Sequence, residues 1–137
     1  MKFSKKSEYA LRALVSMAKQ PTGLHTIPKI SSDAGIPPKF LEQILLSLRQ
    51  GGLLESRRGA NGGYLFQRPP RSIALAEVVQ IVEGKEDSPL SNPGSADNPV
   101  DIFLHQIEKD VAGRLRQTTV EDLLILGHQT AGGHFDI

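Results

Sequence analysis

The sequence predicts a mainly α-helical chain carrying one small β-hairpin, and three observations lead there. Apolar residues recur with the 3.6-residue helical period in segment after segment. Glycine and proline mark the segment boundaries, as in Pro21-Thr22-Gly23, Pro37-Pro38 and Gly51-Gly52. One stretch alone, "RRGANGGYLF" at 57–66, sets a glycine-rich turn between two strand-like runs.

The first helix is expected over residues 7–19, where Leu11, Leu14, Val15 and Ala18 share one face. Ser4 or Ser7 can cap it, and Pro21-Thr22-Gly23 ends it. A short second helix follows, with Thr26 as cap, Pro28 in the first turn and Gly35 as stop; Ile27, Ile30 and Ala34 form its buried side. The third is expected from about Pro38 to Gln50, with Phe40, Leu41, Ile44, Leu45 and Leu48 inward and Gly51-Gly52 closing it. A short helix, a glycine turn and a second helix with a polar start form a helix-turn-helix.

"LLESRR" and "YLFQR" then read as strands joined by "GANGG", whose glycines supply the backbone angles of a hairpin turn. A phosphate-cradling nucleotide loop leads instead from a strand into a helix and carries a Gly-Lys-Ser/Thr end, which this stretch lacks. Three helices followed by a hairpin compose a winged helix-turn-helix, and two arginines entering the turn suit contact with a DNA backbone or minor groove. Charge points the same way. Residues 1–71 hold twelve Lys/Arg against four Asp/Glu, a net +8, whereas residues 72–137 hold four against eleven, a net −7. The basic half has the footprint of a phosphate-binding surface.

Beyond the hairpin, residues 73–83 form an amphipathic helix stopped by Gly84, and Lys85–Pro99 reads as a polar loop. Pro99 opens a long helix through about Gln117, with Val100, Phe103, Leu104, Ile107, Val111 and Leu115 along one stripe. No second long helix is available to cover that stripe. A partner subunit is the economical cover, against the alternative that the stripe packs back on the first helix. Thr119 and Asp122 form a capping box for a last short helix, "VEDLLILGH", and "QTAGGHFDI" reads as a flexible tail. The expected organisation is a DNA-binding domain over 1–71, a connecting helix, polar loop and dimerisation helix over 72–126, and a tail over 127–137.

Composition excludes much else. At 39% hydrophobic and 23% charged residues, the chain is an ordinary globular one. It has no cysteine, hence no disulfide, thiolate ligand or cysteine nucleophile. His25, His105, His128 and His134 are scattered and form no metal-binding pair. No metal site, cofactor or catalytic constellation can be assembled, so an enzyme is not expected. The apolar runs are too short to span a bilayer and the start lacks a signal-peptide pattern, which makes a cytoplasmic location the expectation.

The stretches "SEYALRAL", "GIPPKFLEQILLSLRQGGLLESRRGANGGYLF", "IALAEVVQIVEG" and "TTVEDL" together resemble the bacterial Rrf-type winged-helix regulators, among them iron–sulfur-cluster, nitric-oxide and cysteine-metabolism regulators. The resemblance implies a homodimer whose third helix enters the major groove of a palindromic operator while a wing arginine enters the minor groove. By position it assigns base contacts to Lys39 and Glu42, with Gln43 beside them, and makes Arg58 the wing arginine. A carboxylate can accept from cytosine N4, and a lysine can reach guanine or phosphate. Arg57, Lys5 and Lys6 would be phosphate contacts.

Many members of that family hold an iron–sulfur cluster on three cysteines in the loop matching Lys85–Pro99. Here the loop offers only Ser88, Ser91 and Ser95 with Glu86, Asp87 and Asp97, so the resemblance is to the cluster-free branch. Within that branch a sulfur-metabolism repressor works with O-acetylserine sulfhydrylase, whose active site accepts C-termini ending in isoleucine. The ending "GGHFDI" makes Phe135 and Ile137 candidate docking residues for that enzyme. The expected function is a dimeric, sequence-specific DNA-binding regulator, a repressor; the alternative is a winged helix serving as a protein-interaction module.

Overall fold

The computed structural model of the 137-residue chain describes residues 3–84 and 98–132. Among these the order is α1 (Lys5–Ala18), α2 (Ile27–Ala34), α3 (Pro38–Gln50), β1 (Leu54–Arg57), β2 (Gly63–Phe66), α4 (Leu75–Glu83), α5 (Pro99–Gln117) and α6 (Val120–Gly132). The strands pair antiparallel, Leu54 opposite Phe66 and Arg57 opposite Gly63. The architecture is the expected one: mainly helical, with a single hairpin as the wing.

Local chemistry sets the helix ends. The Ser4 hydroxyl accepts the Ser7 N–H at 3.2 Å, so Ser4 is the cap of α1 and the helix starts earlier than the periodicity suggests. Thr26 caps α2, and Gly35 ends it in the left-handed region at φ 68°, where a side chain would be strained. At α6 the Thr119 hydroxyl accepts the Asp122 N–H while the Asp122 carboxylate accepts the Thr119 N–H, the full reciprocal box. Ala74, before α4, has no side-chain acceptor, so only the returning half forms there, Ala74 N–H to Glu77 at 3.0 Å.

One core draws on both halves of the chain. Leu14 and Met17 of α1, Ile30 of α2, Leu41, Ile44, Leu45 and Leu48 of α3 and Leu54 of β1 are fully buried together with Ile73, Val78 and Val120. α1 is the central element, packed against α2, α3, α4 and α6. A single 3₁₀ turn at Pro70–Ser72 precedes α4, which therefore begins at Leu75 and not at Ile73. The reason is a short bridge: Leu75 donates to the Thr118 carbonyl and Val120 to that of Ile73, tying the start of α4 to the α5–α6 joint.

Three expectations need correction. Phe40 is not core: it sits at the edge of the apolar stripe of α3, in the first turn, and is 48% exposed. On α5, Leu115 is buried and Val111 partly buried against the chain's own core, so the C-terminal end of the stripe is covered internally. α6 runs on to Gly132, four residues beyond the expected end, so part of the 127–137 segment is helix. Most of the polar loop (85–97), together with Phe135 and Ile137, lies outside the described residues.

Candidate nucleic-acid interface

The helix-turn-helix is α2, the Gly35-centred turn and α3. Pro37 and Pro38 start α3 with its first turn projecting, and the apolar stripe of Leu41, Ile44, Leu45 and Leu48 anchors one face in the core. At 100° per residue that anchoring turns Lys39 and Gln43 outward, one helical turn apart, with Glu42 at the margin of the same face. All three are exposed, and none is in an ion pair among the described residues. Leu46, also exposed, extends this face and lies outside the apolar period of the helix.

The wing is fixed to the helical body at its root. His25 N–H donates to the Tyr64 carbonyl at 2.8 Å and Tyr64 N–H to the His25 carbonyl at 2.7 Å, adding a one-residue third strand to the hairpin. Gly63 permits this approach: a Cβ there would lie 2.5 Å from the His25 carbonyl oxygen. In the turn itself Gly59 has φ 111°, the backbone freedom the pattern predicts, whereas Gly62 is required for space, because a Cβ would meet the Arg57 carbonyl oxygen at 2.3 Å. His25 is buried and its Nε2 lies 3.0 Å from the Gln20 carbonyl, so the residue is structural. The bridge left no mark in the periodicity; a glycine directly before a strand aromatic was the available hint.

At the tip, Arg57 and Arg58 are exposed. Arg57 lies 3.8 Å from Glu55, a long and solvent-exposed pair, and Arg58 has no acidic partner among the described residues. The two N-terminal lysines part company. Lys5 pairs with Glu8 at 3.1 Å and lies over the Tyr9 ring, whose edge meets Phe40 with centroids 5.9 Å apart; Lys5 therefore stands near the front of α3. Lys6 is half-buried, and its charge acts on Glu83 at the end of α4 without forming an ion pair with it. Partial burial pushes the Glu83 carboxyl up, but the hydroxyls of Ser4 and Ser7 and the Lys6 charge outweigh it and hold the pKa below the ordinary value. Ser4 and Ser7, not Lys6, make the hydrogen bonds to α4 here.

The long helix provides a different surface. The N-terminal half of α5 extends past its own core and exposes Val100, Phe103, Leu104 and Ile107, with Phe103 58% accessible. Ile102 is exposed on the opposite side. Contiguous apolar exposure of this kind marks a protein contact. No described helix is long and apolar enough to cross a membrane.

Comparison with known proteins fits this geometry. Residues 3–125 match the model of the Rrf2 family, described as iron-dependent transcriptional regulators. A helix-turn-helix-type transcriptional regulator of Mycobacterium tuberculosis is 36% identical over 135 residues, covering 90% of this chain and 81% of its own. The helix-turn-helix-type regulator IscR of Enterobacter sp. is 32% identical over 117 residues, covering 84% and 72%. Among solved structures, CymR, the global cysteine regulator of B. subtilis, gives a TM-score of 0.80 at 29% identity and covers 92% of this chain and 98% of that one. These relatives are transcriptional regulators, not enzymes. The iron of the family description does not suit this chain's donors: there is no cysteine in 137 residues, and no cluster of three His, Asp or Glu able to hold a metal occurs among the described residues. A winged helix-turn-helix with an outward-facing third helix, matched over nearly its whole length, places the chain in the Rrf2 family of DNA-binding transcriptional regulators.

Proposed function

We propose that the protein is a homodimeric, sequence-specific repressor that works without an iron–sulfur cluster. The observation that carries this reading is the placement of Lys39, Glu42 and Gln43 on the exposed face of an α3 anchored by four buried residues, beside a wing whose tip carries Arg57 and Arg58. Lys39, Glu42 and Gln43 read base edges in the major groove; Arg58 enters the minor groove; Arg57 and Lys5 neutralise phosphates. Lys6, half-buried on α1, joins them at the edge of the same surface.

Two copies join through the overhanging face of α5, with Val100, Phe103, Leu104 and Ile107 as its apolar centre. A two-fold pair of readers requires a palindromic site with half-sites a whole number of turns apart. Such a dimer seated on a promoter blocks other proteins from the same groove, which makes repression its simplest consequence. The alternative, a winged helix retained for protein contact, rests on the likeness to a cysteine regulator. Sedimentation of the protein with a duplex operator tests the proposal. Two chains per duplex are expected, with affinity falling steeply as salt rises; one chain per duplex, or salt-independent binding, would refute it.

A further inference from the structure

Where the wing's second strand leaves the hairpin, it passes a cleft of about 370 Å³ formed with the end of α1 and the first turns of α6. Phe66, Pro69, Pro70 and Leu124 give its walls their apolar part, with the polar Thr22 and Gln67 beside them. Two side chains of opposite charge also line it, Arg71 from the 3₁₀ turn and Glu121 from α6, and they do not pair with each other or with any other described residue. Arg68, the other cation at the rim, is held in place by a two-pronged contact with Glu77 at 2.7 and 3.1 Å. The cleft therefore presents one open cation, one open anion and apolar side chains in the same lining.

A second groove shows why that combination matters. It runs along Leu11, Val15, Ala34 and Leu123 and is comparably large, about 400 Å³. Its rim charges are matched among themselves, Glu8 with Arg12 at 2.9 Å and Lys19 with Asp33 at 3.1 Å, so nothing there orients a polar ligand. Ligand sites are apolar concavities with a few convergent polar groups, and the cleft by the wing has both parts. Its volume lies at the small end of such sites.

We propose that the cleft between the wing root and α6 binds a small zwitterion with an apolar body, an apolar α-amino acid, whose carboxylate meets Arg71 and whose ammonium meets Glu121. A ligand held this way spans from the end of β2 to α6 and so touches both the DNA-reading half and the C-terminal half of the chain. The site does not depend on the DNA-binding reading, and it is tested without DNA.

The 137-residue protein, isotopically labelled, is titrated by nuclear magnetic resonance with L-leucine, with 4-methylpentanoate (its carboxylate alone) and with isopentylamine (its ammonium alone). Saturable shifts at Phe66 and Leu124 are expected with leucine, and each single-charge analogue should bind about tenfold more weakly, as loss of one charged hydrogen bond implies. Arg71→Ala and Glu121→Ala should each weaken leucine by about the same factor while melting like the parent, since neither side chain is paired in the fold. Absence of saturable shifts at millimolar leucine would overturn the proposal. Binding indifferent to the analogues and to both substitutions would do so as well, because the cleft would then be a generic apolar hollow.

Discussion

Gly63→Ala isolates the contribution of the wing's root. The substitution adds one methyl group, which the native backbone would place 2.5 Å from the His25 carbonyl oxygen and 2.9 Å from its carbon, with the Leu24 side chain at 3.4 Å. Because the obstructing atoms are backbone, no rotamer change relieves them, and β2 must move away from His25. That movement breaks the two hydrogen bonds between His25 and Tyr64, at 2.8 and 2.7 Å. At about 0.5–1.5 kcal/mol net per hydrogen bond, their loss costs about 1–3 kcal/mol. Residual strain raises the total to about 2–4 kcal/mol, within the range of damaging single substitutions. A chain of this size should then melt roughly 6–16 °C lower. Gly127→Ala supplies the control, since a Cβ on this exposed position of α6 meets nothing within 4 Å and helix propensity alone should stabilise by up to about 1 kcal/mol. The assays are thermal melting and operator affinity. The variant should also bind DNA more weakly, because Arg58 is no longer held against the body of the protein. A Gly63→Ala protein with unchanged melting temperature and unchanged affinity would refute both the bridge and its role.

The other expectations can be checked with standard measurements. Phe103→Asp places a charge in the exposed stripe of α5 and should weaken self-association by at least about 2 kcal/mol, as removal of an interface anchor does, seen as monomer in sedimentation while the circular dichroism spectrum stays helical. Leu45→Ala removes a fully buried side chain from α3 and should cost about 2–5 kcal/mol in denaturant unfolding. Acid should loosen the join between the wing root and α4. The Glu77 carboxyl is held below its usual pKa by the Arg68 guanidinium, against partial burial and with help from the Ala74 N–H. Its stabilisation is therefore present above the ordinary glutamate pKa and is lost as pH falls through the lowered one. The pair is partly exposed, so the contribution is at most about 1 kcal/mol, and Glu77→Gln should flatten the fall in stability below about pH 4.5.

The parts of the fold governed by local chemistry were legible in the sequence. Thr26, Gly35, Pro38, Thr119 and Asp122 act at the end of an element as their side chains or backbone demand, and both ends of α2 and the starts of α3 and α6 follow from them. What periodicity could not show was what each stripe packs against. Phe40 and Leu115 both fit a helical stripe, yet one points past the core into solvent and the other lies within it. That difference depends on where neighbouring helices end, which no single segment encodes. The His25–Tyr64 and Ala74–Thr119 bridges were hidden for the same reason, because one-residue pairings between distant segments have no period. At the candidate interface the outward set of Lys39, Glu42, Gln43 and Arg58 was available from the sequence. The different surroundings of Lys5, exposed over Tyr9, and Lys6, half-buried, became visible only once the helices were packed.

Selection of bound sequences from random duplex DNA, with the parent protein and with Glu42→Ala, shows whether α3 reads bases. The parent should select one two-fold-symmetric site. With Glu42→Ala the same spacing is expected, with preference relaxed at one symmetry-related pair of positions by about 1–3 kcal/mol, the discrimination of a single base contact. Recovery of no common sequence, or of the identical sequence at undiminished preference in the variant, would contradict the assignment of α3 as the reader.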